Sequence, residues 1–515
     1  MDLGLSLNIA TSGLKTIENE LSTASNNVTN ASTPGYVSET ANTSSTVVSG
    51  TGVGATSAAN QLNISQPLQD ALYQQNARVS GLTATSNSLA AVSAVQGTTT
   101  GSDGANTIGT LTNNLQNVST AFISLSNTPQ NSASQQGVVS AAQTLVSNIH
   151  TLSSVYQAQR QGAQDAITST VSGINTDLTT IGQISQQIML ARSSHADTAD
   201  LANKRLEAMQ SLSSKLGVTF TEKPNGDMLV STQDGTRLPT RPDQAGLPNG
   251  QFQAPTATWP LSTKSPATLT PSMYHATDGS DQGVAGIMLA GKDITSHLTD
   301  GTLGANLTLR DQTYPQMQAQ LDSFSYTLIN RFKAAGVPLF TNGGTQPLSS
   351  DPTKTAPAGL VGLSSRIAVS TDYQQTPSLL TANSDGGQTS ALANAVLNKA
   401  MGSASASTSG SLAAPSTSLG PDGTQATGYD GTQGLTQLAT SLTSSQAGVI
   451  SQNSSDLSTA TSIKTSLTTK VADVSGVDVN SQMSAIVSLK NSYAANAKVV
   501  SMVQSMFSTL LDAVH

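Results

Sequence analysis

The sequence predicts a multidomain, mainly α-helical protein: long terminal coiled-coil helices and a helical rod domain, with an inserted β-rich domain. Three observations predict it. Narrow apolar seams run at both ends, and a proline-free periodic stretch of roughly 50 residues lies inside. Near Lys215, helical periodicity gives way to apolar–polar alternation.

Composition sets the limits. Only 10% of the 515 residues are charged and 3% aromatic, with a single tryptophan, Trp259. An ordinary globular chain carries about 25% charged residues. Such a chain reads as elongated or modular, because it cannot rest on one large aromatic core. A net charge of −8 without a Lys/Arg cluster argues against nucleic acid as a partner. No apolar run approaches the ~20 residues that span a bilayer, so membrane insertion is not expected. The opening "MDLGLSLNIATSGLK" lacks the basic region and continuous apolar stretch of a secretory signal. With no cysteine, the chain has no disulfides, thiolate catalysis or Cys–metal sites.

The first element is the most regular. Leu3, Leu7, Ala10, Leu14, Ile17, Leu21, Ala24 and Val28 follow at spacings of four and three, an a/d seam narrower than the stripe of an ordinary surface helix. The segment "SNNVTNASTPGY" ends it. Asn27 and Asn30 offer side chains that compete for backbone hydrogen bonds, Pro34 prevents resumption, and Gly35 and Tyr36 complete a turn. No other helix starts nearby, so the seam has no local partner and is expected to order on assembly.

Residues 40–60 are rich in Ser, Thr and Gly and read as an extended linker. Helix returns at Pro67 with Leu68, Leu72, Val79, Leu82 and Leu89, then with Ile108, Leu111, Leu115, Val118, Phe122 and Leu125. The long stretch runs from Val138 to Ile188. Its apolar phase moves by one position between halves, which predicts weak supercoiling or a break near Gly162. "GVTFTEKPNGDMLV" is a hairpin signal around Asn225-Gly226. A further stripe, Met317, Leu321, Phe324, Leu328 and Phe332, follows Tyr314-Pro315. Residues 336–432 approach low complexity. At the end, Val479, Ile486, Tyr493, Val500, Phe507 and Val514 lie seven apart, flanked by Leu489, Val503, Leu510 and Leu511. The two terminal seams are expected to pack as one shaft.

The expected units are 1–60, an N-terminal axial helix and linker; 61–214, the first part of the helical rod; and 215–304, the inserted β-rich domain. They continue with 305–335, a return helix; 336–432, a loop-rich excursion or a further small domain; 433–474, the last rod helix; and 475–515, a C-terminal axial helix.

The sequence offers no catalytic, cofactor or metal constellation. The five histidines are scattered, none with another at i+4. "GIMLAGKD" (286–293) fits the G-x-x-x-x-G-K spacing, but Asp293 stands where Ser or Thr would hold magnesium. The repeated Asp-Gly pairs (Asp234-Gly235, Asp278-Gly279, Asp300-Gly301, Asp422-Gly423 and Asp430-Gly431 among them) are irregularly spaced and read as turns rather than calcium loops.

These residues resemble a known family. "LNIATSGLKTIENELSTASNNVTNASTPGY" is similar to the N-terminal signature of bacterial flagellar rod, hook and hook-associated proteins, and "SGVDVNSQMSAIVSLKNSYAANAKVVSMVQSMFSTLLDAV" to their C-terminal helix. In the interior, "ISQQIMLARSSHADTADLANKRLEAMQSLSSKLGVTF" and "GTLGANLTLRDQTYPQMQAQLDSFSYTLINRF" resemble the hook-associated protein 1 family. The "GxGFF"-like stretch usual in rod and hook proteins is absent. Val37, Leu206 and Ser481-Gln482 depart from the family pattern.

The resemblance implies a non-enzymatic structural component of the flagellum, joining hook to filament and assembling as a ring with other copies of itself. It implies export by the flagellar type III apparatus without a cleaved signal. The implied partners are the hook protein, a second junction protein (hook-associated protein 3) and an export chaperone on the C-terminal seam. The alternatives are a hook or distal rod subunit, an enzyme fused to an axial scaffold, or an adhesive module at 215–305.

Overall fold

The computed structural model describes residues 3–33, 35–48, 50–97, 109–245, 258–264, 268–278, 280–343, 360–383, 387–402, 419–428 and 433–513. Pro34, Ile108 and Val514 lie outside them.

The chain begins with α1 (Leu3–Asn30), then β1 (Glu39–Val48), β2 (Thr51–Leu62), α2 (Gln66–Gln96) and α3 (Leu111–Asn127). The spine is α4 (Ser132–Ser193), a single helix of 62 residues, followed by α5 (Ala199–Lys215). Local chemistry starts these helices where it should. Pro67 sits in the first turn of α2, and Thr110 accepts a hydrogen bond from the Asn113 N–H. Asn131 caps α4 by accepting from the N–H groups of Ala133 and Ser134.

No break occurs at Gly162. The buried stripe of α4 takes two successive steps of four at Leu152, Tyr156 and Arg160, and again at Ala163, Ile167 and Val171. Those extra residues bring the average close to 3.6, so the stripe stays on one side of the helix.

After α5 come two three-stranded antiparallel sheets. The first is β3 (Val218–Glu222), β4 (Met228–Thr232) and β5 (Arg237–Leu238); the second is β6 (Leu261–Thr263), β7 (Ile287–Leu289) and β8 (Lys292–Asp293). The Asn225-Gly226 turn joins β3 to β4 with Gly226 at φ 93°, a conformation open to glycine without cost. The segment 286–293 is the β7–β8 hairpin, turned at Ala290 and Gly291, so it makes no strand-to-helix phosphate loop.

Helix then resumes earlier than Tyr314. It starts as α6 (Gly301–Thr308), passes through a π-helical turn (Leu309–Thr313) and continues as α7 (Tyr314–Ala334). Pro315 has no N–H to give, and the wider π turn before it lets the helix continue without that hydrogen bond. Gly301 starts the helix at φ 65°, where an added Cβ would lie 2.4 Å from the Leu216 nitrogen.

The described part of 336–432 forms β9 (Phe340–Thr341), β10 (Ala368–Val369), α8 (Thr371–Gln375) and α9 (Ala391–Ala395), with short 3-10 and π turns. The chain closes with α10 (Leu435–Ser475) and α11 (Val479–Asp512).

Two hydrophobic cores sit along α4. The first holds α3, the N-terminal half of α4, α7, the start of α10 and the described pieces of 336–432, including Leu363, Ile367 and Val396. Those described pieces therefore wall the helical core. Asp322 on α7 fastens one of them, accepting from the Gly362 and Ser364 N–H groups at 2.8 Å each and from the Ser364 hydroxyl at 2.6 Å. Burial without a cation pushes its carboxyl up to about 6.

The second core joins Ile167–Ile181 of α4, Leu206–Leu212 of α5 and Leu216 just past its end to Phe220, Val230, Leu261 and Ile287 of both sheets. The β-containing insertion thus shares its core with the rod helices. Neither small sheet has enough apolar area to stand alone.

Candidate assembly shaft and its root

The shaft is α1 packed on α11. Three contacts fix the pairing as antiparallel. Asn27 lies beside Gln482 (3.4 Å), Tyr493 donates its hydroxyl to Glu18 (3.4 Å), and Gly13 faces Asn496. On α1, Ala10, Ile17 and Ala24 are buried and Leu7, Leu14, Leu21 and Val28 half-buried; Leu3 begins the helix.

On α11 the half-buried seam positions are Gln482, Ile486, Leu489, Asn496 and Val500, with Ala497 half-buried beside them and Val503 buried. They continue the spacing of four and three through Tyr493, which is itself exposed. Gln482 and Asn496 are polar members that an apolar pattern could not reveal. Val479 and Phe507 are exposed, as are Leu510 and Leu511 at 59% and 63%.

The linker expected at 40–60 is instead a long antiparallel hairpin, β1 with β2, bulged between Thr40 and Asn42 and between Thr46 and Val47. It lies on α1. Ser12 accepts from the Ala55 N–H (3.1 Å), Asn19 donates to Ser57 (2.5 Å), and Asn60 donates to Thr23 (3.0 Å). These α1 positions repeat at helical spacing beside the leucine seam. The N-terminal helix thus has a local partner after all, recruited through Ser, Thr and Asn rather than through apolar residues.

The segment after α1 is the root. Asn27, 1% exposed, donates to the Glu39 carbonyl (2.8 Å) and accepts from the Glu39 N–H (2.9 Å) and the Tyr36 hydroxyl (3.0 Å). One amide therefore ties the helix end to the start of β1. Asn30 bonds back to the Asn26 carbonyl (3.1 Å), and Gly35 takes φ 83°. Val37 is clamped by Asn203 of α5, which accepts from its N–H (3.0 Å) and donates to its carbonyl (3.2 Å). The Ser38 N–H donates to the Ser475 carbonyl at the α10–α11 junction (2.8 Å). One turn thus joins α1, the hairpin, α5 and α10.

Glu39 and Asn203 were not legible as site residues. Glu39 is buried, bonded to Asn203 (3.1 Å) and faces Asp200 and Asp197 with no cation beside it. Burial first, then Asp200, pushes its carboxyl up to about 7. Burial also raises the Tyr36 hydroxyl above its ordinary value. Among the described residues, no group of three or more His, Asp or Glu is placed to hold a metal, and no helix is long and apolar enough to cross a membrane.

Comparison with known proteins places the parts. Residues 102–346 match the helical domain of the flagellar hook-associated protein FlgK. Residues 7–36 match the flagella basal body rod proteins, and 473–513 the C-terminal region of the rod proteins FlgEFG. No curated protein matches the chain. Among solved structures, it is similar to the flagellar hook junction protein FlgK from Burkholderia pseudomallei, at 23% identity and a TM-score of 0.40, over 56% of this chain. The match spans about half of that protein, 49%. With both terminal matches on the shaft and the central one on the body, the chain belongs to the flagellar axial proteins of the hook-associated FlgK family.

Proposed function

We propose that this protein is the structural joint between flagellar hook and filament, and that it assembles as a ring through its shaft. The observation that carries the reading is an apolar stripe on α11 that α1 leaves uncovered. Met483, Val487, Val499, Met502, Met506 and Leu510 are all exposed. A helix with one apolar face against α1 and a second in water is built for a further neighbour. The FlgK helical-domain match supports the junction position within the axial class. The neighbours in this reading are the hook protein below and hook-associated protein 3 above. A chaperone holds α11 until the flagellar type III apparatus exports the chain. The protein does its work by contact rather than by catalysis.

The rod-type matches at both ends also fit a hook or distal rod subunit. Deletion separates the two. Loss of this protein is expected to leave hooks in place while flagellin escapes into the medium. Hookless cells would support the rod or hook reading, and normal filaments would sink both.

A further inference from the structure

A cleft of ≈ 340 Å³ opens at the root, between the end of β2, the start of α2, α5 and the first sheet. Ile64, Leu206, Met209, Phe220 and Met228 form the apolar half of its lining, and Asn60, Gln61, Gln66 and Thr198 belong to the polar half. Arg192 and Arg205 stand on its wall and share one carboxylate, Glu222, at 2.6 and 2.8 Å, so two cations face one anion. Arg205 is 3% exposed; it also donates to the Gly226 carbonyl, yet its Nε–H has no partner. A buried guanidinium with a spare donor beside an apolar pocket suits a ligand that carries an apolar side chain and a carboxylate together.

The chain carries such a segment at the far end of its shaft. Among the described residues, Leu510 and Leu511 are the most exposed leucines apart from Leu190, and Asp512 follows them directly. The antiparallel register runs these residues beyond Leu3, the first described residue of α1, and both leucines are exposed. A copy cannot fill its own cleft. Gln482 lies at the root, and the 34-residue α11 carries its tip about 50 Å along the shaft.

We infer that the cleft beside Arg205 receives the Leu510–Asp512 tip of a second copy of this chain, with the leucines on Met209 and Phe220 and the carboxylate toward Arg192 and Arg205. This rests on the ring-forming reading above and gives it a direction. The contact is head-to-tail, so it propagates from copy to copy and closes only by symmetry. It also wedges the hairpin against α5, coupling neighbour binding to the angle of the shaft.

The full-length chain, which has no native cysteine, allows a direct test. Gln66→Cys at the cleft mouth and Asp512→Cys at the tip, made in separate preparations, are mixed at concentrations where the parent self-associates and are then oxidised. Mass spectrometry is expected to find the peptide linking positions 66 and 512. Arg192→Glu should lower self-association about tenfold, and Asp512→Arg in the mixed partner should restore it. Self-association without the 66–512 link, or indifference to the charge swap, overturns the tip-in-cleft contact alone. A chain that stays monomeric at every concentration overturns the ring reading as well.

Discussion

Asn27 and Glu39 show how much of the root depends on single polar groups. Asn27 satisfies a buried backbone N–H and C=O of the same residue, so no aliphatic side chain can replace it without orphaning both. Glu39 carries the opposite tension, an acid buried among acids. Its folded carboxyl titrates near 7, above the ordinary carboxylate value, so the fold disfavours its charged form. The resulting penalty is absent below the unfolded value, grows as pH rises through that window, and is complete above about 7. Stability of the root should therefore fall from pH 4.5 to 7.5. Glu39→Gln should flatten that dependence, as read by hydrogen exchange of the β1 amides across the range. An unchanged profile in the variant would place the titration elsewhere.

At the scale of elements, the shaft and the spine are held by different means. Apart from the buried Val503, α11 keeps contact with α1 through half-buried positions, whereas α4 buries residues along nearly its whole length. A helix with so little buried area opens locally at small cost. Limited proteolysis of the monomer should therefore trim roughly the first 40 and last 40 residues before α4 is cut. Termini that resist while the centre is cleaved would contradict ordering on assembly. The hairpin refines this expectation: because it fastens α1 through Ser12, Asn19 and Thr23, the C-terminal cut should precede the N-terminal one.

For the whole molecule, the decisive fact is that both cores include residues of α4. Ile174 is fully buried in the second core. Ile174→Ala should cost about 2–5 kcal/mol. Because the spine is common, the loss should lower a single unfolding transition followed by the lone Trp259 and by helical circular dichroism together. Two separate transitions, with only one moved, would mean that the cores fold independently.

The sequence by itself determined the helices. Their apolar stripes, caps and turn residues are local signals, and α3, α4, α7, α10, α11 and the Asn225-Gly226 hairpin all follow from them. The pairing of the terminal seams was legible too, because two narrow stripes without other cover complement each other. Three features were decided by tertiary structure alone. The 39–62 hairpin has few apolar residues to alternate, and its register comes from polar partners on α1, which are distant in sequence. The β-containing insertion and the described part of 336–432 joined shared cores, since their short strands bury too little to stand apart. Glu39 and Asn203 became a clasp only when α5 folded back beside the helix end. Periodicity reports what a segment would bury; which surface covers it depends on chain distant in sequence.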